Sequence, residues 1–192
     1  MQTRTIEQTR TIEGGSPTVT FPGLTVKTIV VHTVTYFVMG LLALRLLEYR
    51  TAFAAPITRE YMRPVTDPIV ALGPSLQFIR AVLFAIAFYP LRAVVFARRN
   101  GWRIMWLLLV TLGILAPFAA APGSVEGLLY TKLPIGMQLS GWLEIVTQAL
   151  LLSVILHYWV NHPEKKWIAW TLGPIYLLAI TASILAFLLP PR

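Results

Sequence analysis

Apolar residues along this chain gather into five long runs, at about 27–49, 74–97, 103–121, 138–160 and 166–189. Each approaches the ~20 residues that an α-helix needs to cross a hydrocarbon core about 30 Å thick. The expected fold class is therefore all-α: a polytopic membrane helix bundle with about five transmembrane helices. The tryptophans support these limits. Trp102, Trp106, Trp142, Trp159, Trp167 and Trp170 all fall near a run's end, where an amphipathic ring sits at the membrane–water interface. Gly173-Pro174 predicts a kink in the fifth helix. Asn161, before His162-Pro163, reads as the cap that starts it.

Residues 1–26 are polar and form a separate tail. Gln2–Glu7 and Gln8–Glu13 carry the same six residues, and Gly14-Gly15-Ser16-Pro17 ends the pattern. Thr and Ile with the Gly-Gly-Ser-Pro turn would allow a small surface hairpin, but a disordered tail that arose by duplication is the expectation, and two copies are too few for a repeat architecture. The tail is longer than the short basic start of a secretory signal, so the first apolar run reads as a retained helix despite Ala52-Phe53-Ala54. Between the runs, residues 56–68 alternate prolines, charges and apolar residues, as a short interfacial helix would. Residues 122–137 read as a glycine- and proline-rich loop close to the headgroups.

Composition agrees with the pattern. Of 192 residues, 56% are hydrophobic and 12% charged, against about 25% charged in a soluble domain. The chain has no cysteine, which removes disulfides, thiolate catalysis and cysteine-held metal centres. A formal net charge of +8 reads as cations flanking spans against anionic lipid rather than as a nucleic-acid surface, because no basic run alternates with aromatics.

The cations also set an orientation. Arg92, Arg98, Arg99 and Arg103 cluster between runs two and three, and Lys165 and Lys166 between four and five, whereas Lys132 alone lies between three and four. The positive-inside rule makes the first two links, and the amino terminus, cytoplasmic. Arg50, Arg59 and Arg63 run against this orientation, partly offset by Glu60 and Asp67.

Candidate chemistry is confined to runs one, two and four, which carry His32, Arg45 and Glu48; Gln77 and Arg80; and Glu144, Gln148, Ser153 and His157. Buried charge in a bilayer costs about 2.5–3.5 kcal/mol, so such residues face protein or water. Arg80 lies six residues beyond Pro74, ~9 Å along a helix, from where its side chain snorkels outward. His32 and Arg45 are 13 residues apart, as are Glu144 and His157. On antiparallel helices that spacing matches Arg45 to Glu144 in depth and His32 to His157. It also turns each helix by ~220° between its two polar residues, so one seam cannot hold both pairs.

Two sets follow. Arg45, Arg80, Glu144 and Gln148 form either an outer-half ligand pocket or a structural ion pair. His32 and His157 offer the geometry of a bis-histidine haem b, with Ser153 orienting His157. No phosphate-binding glycine loop, metalloprotease helix or nucleophile elbow is present, and an enzyme is not expected. The first expectation for function is a non-catalytic accessory or scaffolding subunit of the cell membrane, packed against a membrane partner or copies of itself. The alternatives are a small-solute or ion translocator or lipid-binding protein using the Arg/Glu set, and then a haem-bearing redox subunit.

Overall fold

The computed structural model describes residues 19–47, 51, 54–60 and 62–189, and every regular element among them is helical. Helix α1 (Phe21–Leu46) begins where Thr20, in extended backbone, accepts the Gly23 amide on its hydroxyl and Pro22 occupies the first turn. Its threonines cost the helix little. Thr25 and Thr28 donate to the carbonyls of Phe21 and Leu24, at 2.9 and 2.8 Å. Five consecutive residues, Val31 to Thr35, are buried, so neighbours surround α1 at this level. It packs against the helices corresponding to runs two, four and five.

A single turn, α2 (Pro56–Arg59), follows. Asp67 then caps α3 (Pro68–Ala71), its Oδ1 accepting the Ile69 amide at 3.0 Å. After a break at Leu72 the chain continues as α4 (Gly73–Phe88). Ala81 and Ala85 are fully buried against the rest of the bundle, while Leu76, Ile79, Leu83 and Ile86 are exposed at helical spacing. Small residues inside and large apolar ones outside reverse the soluble arrangement and let helix backbones approach closely.

Pro90 lacks the N–H that would continue α4, so this helix stops at Phe88 rather than near 97, and a short α5 (Arg92–Val95) follows. Helix α6 (Gly101–Val110) starts so close to α5 that a Cβ on Gly101 would overlap the Val95 carbonyl. It runs into one π-helical turn, Thr111–Leu115, and ends before Pro117 rather than at 121. Helices α7 (Val125–Tyr130) and α8 (Ile135–Ser140) take the place of the expected loop at 122–137. Ser124 caps α7 by accepting the Gly127 amide at 2.9 Å. Helix α9 (Trp142–Asn161) prolongs α8, and α10 (Lys166–Leu188) closes the bundle with Pro174 inside it.

Three helical segments are long and apolar enough to cross a membrane: α1, the α8–α9 rod from Ile135 to Asn161, and α10. Helix α4 and the α6–π segment Gly101–Leu115 are apolar but shorter. The first helix begins at Phe21, six residues before the expected 27, because Thr20 and Pro22 start it. Asn161 does not cap α10; it is the last residue of α9, and its Nδ2 donates to the His157 carbonyl at 2.9 Å. The segment 56–68 is one helical turn and a non-helical stretch, not a single interfacial helix. The duplicated hexapeptide, Glu48 and Arg50 lie outside the described residues.

Contacts between neighbours fix which ends lie together. Phe21 and Tyr89 meet ring to ring with centroids 5.4 Å apart, and Lys27 Nζ donates to the Trp159 carbonyl at 3.0 Å. One end of the bundle thus gathers Lys27, Arg92, Arg98, Arg99, Arg103, Lys165 and Lys166, with Glu164 as its acid. The opposite end mixes Arg45, Arg59, Arg63 and Lys132 with Glu60, Asp67, Glu126 and Glu144.

Candidate functional site

Midway along the helices, a cavity of about 190 Å³ opens between α1, α4, the α6–π segment and α9. His32, Arg80 and Gln148 supply its polar lining; Phe84, Ile145 and Leu152 are among its apolar walls, and Ala121 and Pro122 lie across one side. The roof exists because the loop after the π turn is tied to α8 and α9. Gln138 Oε1 accepts the Gly123 amide at 3.2 Å, and Trp142 Nε1 donates to the Gly123 carbonyl at 3.0 Å. Gly123 has a φ of 84°, a left-handed conformation that a side chain would strain.

His32 is 2% exposed. Its Nε2 lies 3.0 Å from Gln77 Oε1, and Gln77 Nε2 donates to the Gly73 carbonyl at 3.0 Å. With the amide nitrogen committed to Gly73, Oε1 must be the acceptor, so His32 Nε2 carries the proton and donates. Nδ1 is left as a bare acceptor, buried and without a partner; Thr33 Oγ1 is the other such atom among the described residues. The imidazole meets the Phe84 ring edge-on at 5.1 Å, and the Arg80 guanidinium stands 5.7 Å over that same ring. Tyr36 lies within electrostatic reach of Arg80 and Glu144, and its hydroxyl packs 2.9 Å from where a Cβ on Gly73 would stand.

Arg80 and Gln148 are the least satisfied members. Among the described residues, nothing forms an ion pair or hydrogen bond with the Arg80 guanidinium. Nothing hydrogen-bonds to the Gln148 amide either, although it is only 8% exposed. The ion pairs joining described residues are Arg59–Glu60, Arg63–Asp67 and His162–Glu164. Neither Arg80 nor Arg45 is bridged to Glu144, so the structural ion pair expected between them is not formed.

The expected outer set is therefore divided. Arg80 and Gln148 come together; Glu144, one turn before Gln148 on α9, and Arg45, exposed in the last turn of α1, do not line the cavity. His32 joins Arg80 instead of His157. The reason is the start of the second helical segment. It begins at Pro68, so Arg80 stands twelve residues from that end and eight from Phe88. The guanidinium turns over Phe84, towards the basic end, which is the nearer one, rather than snorkelling to the opposite surface.

His157 belongs to a different recess, of about 530 Å³, at the basic end, lined by Arg98, Arg99, Trp102, Asn161 and His162 among others. Its Nε2 lies 3.0 Å from the Arg98 carbonyl and its ring stacks on Phe96. Ser153 does not orient it; that hydroxyl donates to the Ala149 carbonyl at 2.8 Å. The two histidines thus have separate protein partners in separate hollows and do not frame a haem b. Nearby, Glu164 is held below the usual carboxylate range by its own backbone N–H and then by His162.

Sequence reasoning singled out Gln77 without a role and passed over Tyr36. The Gly73–Gln77 spacing of one helical turn was the available signal, since it lets an amide fold back on its own backbone and present its oxygen to a neighbour. Arg98 and Arg99 registered only as orientation signals. No protein-family model, curated protein or solved structure matches this chain.

Proposed function

We propose that the chain is a polytopic cell-membrane protein of five crossings, amino terminus cytoplasmic, that binds a small anionic solute at Arg80. The crossings would be α1, α3–α4, the α6–π segment, α8–α9 and α10. Helix α4 spans ~24 Å and α3, before the break at Leu72, adds at most ~6 Å, together close to a hydrocarbon thickness. Gly101 to Leu115 spans only ~22 Å, a shortfall that local thinning of the bilayer accommodates. The concentration of cations at one end supports the orientation.

The observation that carries the reading is the Arg80–Gln148 pair: a cation and the amide of a largely buried residue, neither with an ion pair or hydrogen bond among the described residues, lining one cavity. A guanidinium midway through a membrane is costly unless neutralised. A carboxylate or another compact anion supplies that charge, accepts from the guanidinium in a fork, and leaves an acceptor or donor for Gln148. The hollow has room for roughly six waters, at about 30 Å³ each, and so for a solute of a few heavy atoms. Such a site, between helices and roofed by a tethered loop, suits passage of a small solute as well as its storage.

The test is calorimetric titration of protein in nanodiscs with acetate and then bicarbonate. Saturable binding that falls at least tenfold in Arg80→Gln, with the helical content retained, is expected. Wild-type protein that binds no small anion defeats the proposal.

The accessory-subunit reading keeps one specific support: Arg80 is itself exposed, so an acid on a partner's helix is an alternative counter-ion. A native assembly that Arg80→Gln breaks apart, with no anion binding to the wild type, is the outcome that favours it.

A further inference from the structure

The recess at the basic end has a different chemistry from the central cavity, and the two share no lining residue. Its mouth carries Arg98 and Arg99, which lie between α5 and α6, and His162, just past α9. Trp102 and Tyr158 also line it, and Phe96 and Val154 are among its apolar members. We propose that this recess binds the phosphate of an anionic phospholipid, with the glycerol and the first carbons of its chains against Phe96 and Val154.

Of the seven cations gathered at this end, Arg98, Arg99 and Lys166 have no partner among the described residues, and of these three only Arg98 and Arg99 line the recess. Lys27 donates to the Trp159 carbonyl. Arg92 donates to the Tyr89 carbonyl and covers its ring at 4.5 Å. Arg103 covers Trp102 at 5.2 Å, and Lys165 covers Tyr158 at 5.8 Å. Arg98 and Arg99 are exposed, and among the described residues neither guanidinium has an ion pair, hydrogen bond or ring partner. Both line the recess, and each guanidinium offers five N–H donors. Among the described residues the acid of that end is Glu164, and His162 already engages it at 3.3 Å.

The shape selects a lipid over a free ion. Inorganic phosphate needs only the charged mouth, whereas this hollow continues into apolar surface and is bounded by two aromatic rings of the kind that sit at headgroup level. A basic hollow between helices at the cationic end of a bundle is the arrangement that holds anionic headgroups.

Native mass spectrometry of the detergent-solubilised protein tests this, with phosphatidylglycerol, phosphatidylcholine and soluble glycerol phosphate as probes. One phosphatidylglycerol should be retained per chain, with phosphatidylcholine bound far more weakly. Removing both guanidinium charges in Arg98→Gln/Arg99→Gln should weaken retention by about thirtyfold. The control Arg92→Gln/Lys166→Gln removes the same charge from the same end and should change retention less than about threefold. Both doubles lie in exposed turns or helix ends, and circular dichroism verifies that they fold. Equal weakening by the two doubles means diffuse surface attraction and overturns the site. Glycerol phosphate binding as tightly as the lipid makes the ligand a free phosphate and overturns the lipid assignment. Wild type that does not prefer phosphatidylglycerol to phosphatidylcholine overturns the proposal outright.

Discussion

A buried imidazole has two ring nitrogens to satisfy, and His32 obtains one partner from the protein, Gln77 Oε1 at 3.0 Å. Replacing that partner with an isosteric hydrocarbon strands the Nε2 proton as well, so Gln77→Leu should cost about 1–3 kcal/mol, the price of an unsatisfied buried polar group. The double change His32→Leu/Gln77→Leu removes both polar groups together and should regain most of that loss. Thermal unfolding of the detergent-held protein, followed by tryptophan fluorescence, measures both. A double variant no more stable than Gln77→Leu would mean that the hydrogen bond is not what Gln77 contributes. At this scale the candidate site was only half legible. The sequence singled out His32, Arg80 and Gln148 as polar residues in apolar runs, because their cost in a bilayer does not depend on the fold. Which of them meet depends on helix rotation and on where each helix starts, and an antiparallel register argument built on equal spacings matched His32 to His157, which lies in a separate recess, instead of to Gln77 and Arg80.

At the level of the elements, local chemistry marks the limits more sharply than hydropathy does. Apolar residues run on past Phe88 and past Leu115, yet Pro90 and Pro117 end both helices, because a missing N–H and a ring clash outweigh the favourable burial of a few more side chains. Thr20 starts α1 and Asp67 starts α3 through side-chain oxygens that accept orphan amides. The Asp67 cap has a pH signature. The Ile69 amide first, and then Arg63 at 3.0 Å, lower its carboxyl below the usual value. A group whose folded value is depressed stabilises the fold above its unfolded value, near 3.9, and loses that contribution as pH falls through the folded value. Asparagine caps about as well without titrating. The difference in thermal midpoint between wild type and Asp67→Asn should therefore be constant above about pH 5 and shift towards the variant below about pH 4. A difference that stays flat to pH 3 would show that the carboxylate charge does not contribute to the cap.

For the whole molecule the question is how many times the chain crosses, and the absence of cysteine makes it directly measurable, since any single cysteine introduced is the only one present. All-helical architecture was legible because half the usual charge and five apolar runs leave few other folds. The count was not, because α4 and the α6–π segment are shorter than the three helices that are unambiguously long enough. The two possibilities make opposite statements about one loop. If α4 and α6 both cross, Asn100 lies on the same side as the Lys165–Lys166 link and opposite Lys132. If only the three long segments cross, Asn100 and Lys132 lie on one side together. Asn100 and Lys132 are both exposed in short links, so Asn100→Cys and Lys132→Cys should disturb little. A membrane-impermeant maleimide applied to sealed cells should label Cys at 132 and leave Cys at 100 untouched until the membrane is permeabilised. Labelling of both from outside would reduce the crossings to three and remove Arg80 from the middle of the bilayer, and with it the energetic reason for expecting an anion beside it. Reversed accessibility, with 100 open and 132 protected, would keep five crossings but turn the cationic end, and the lipid recess it holds, to the outer leaflet.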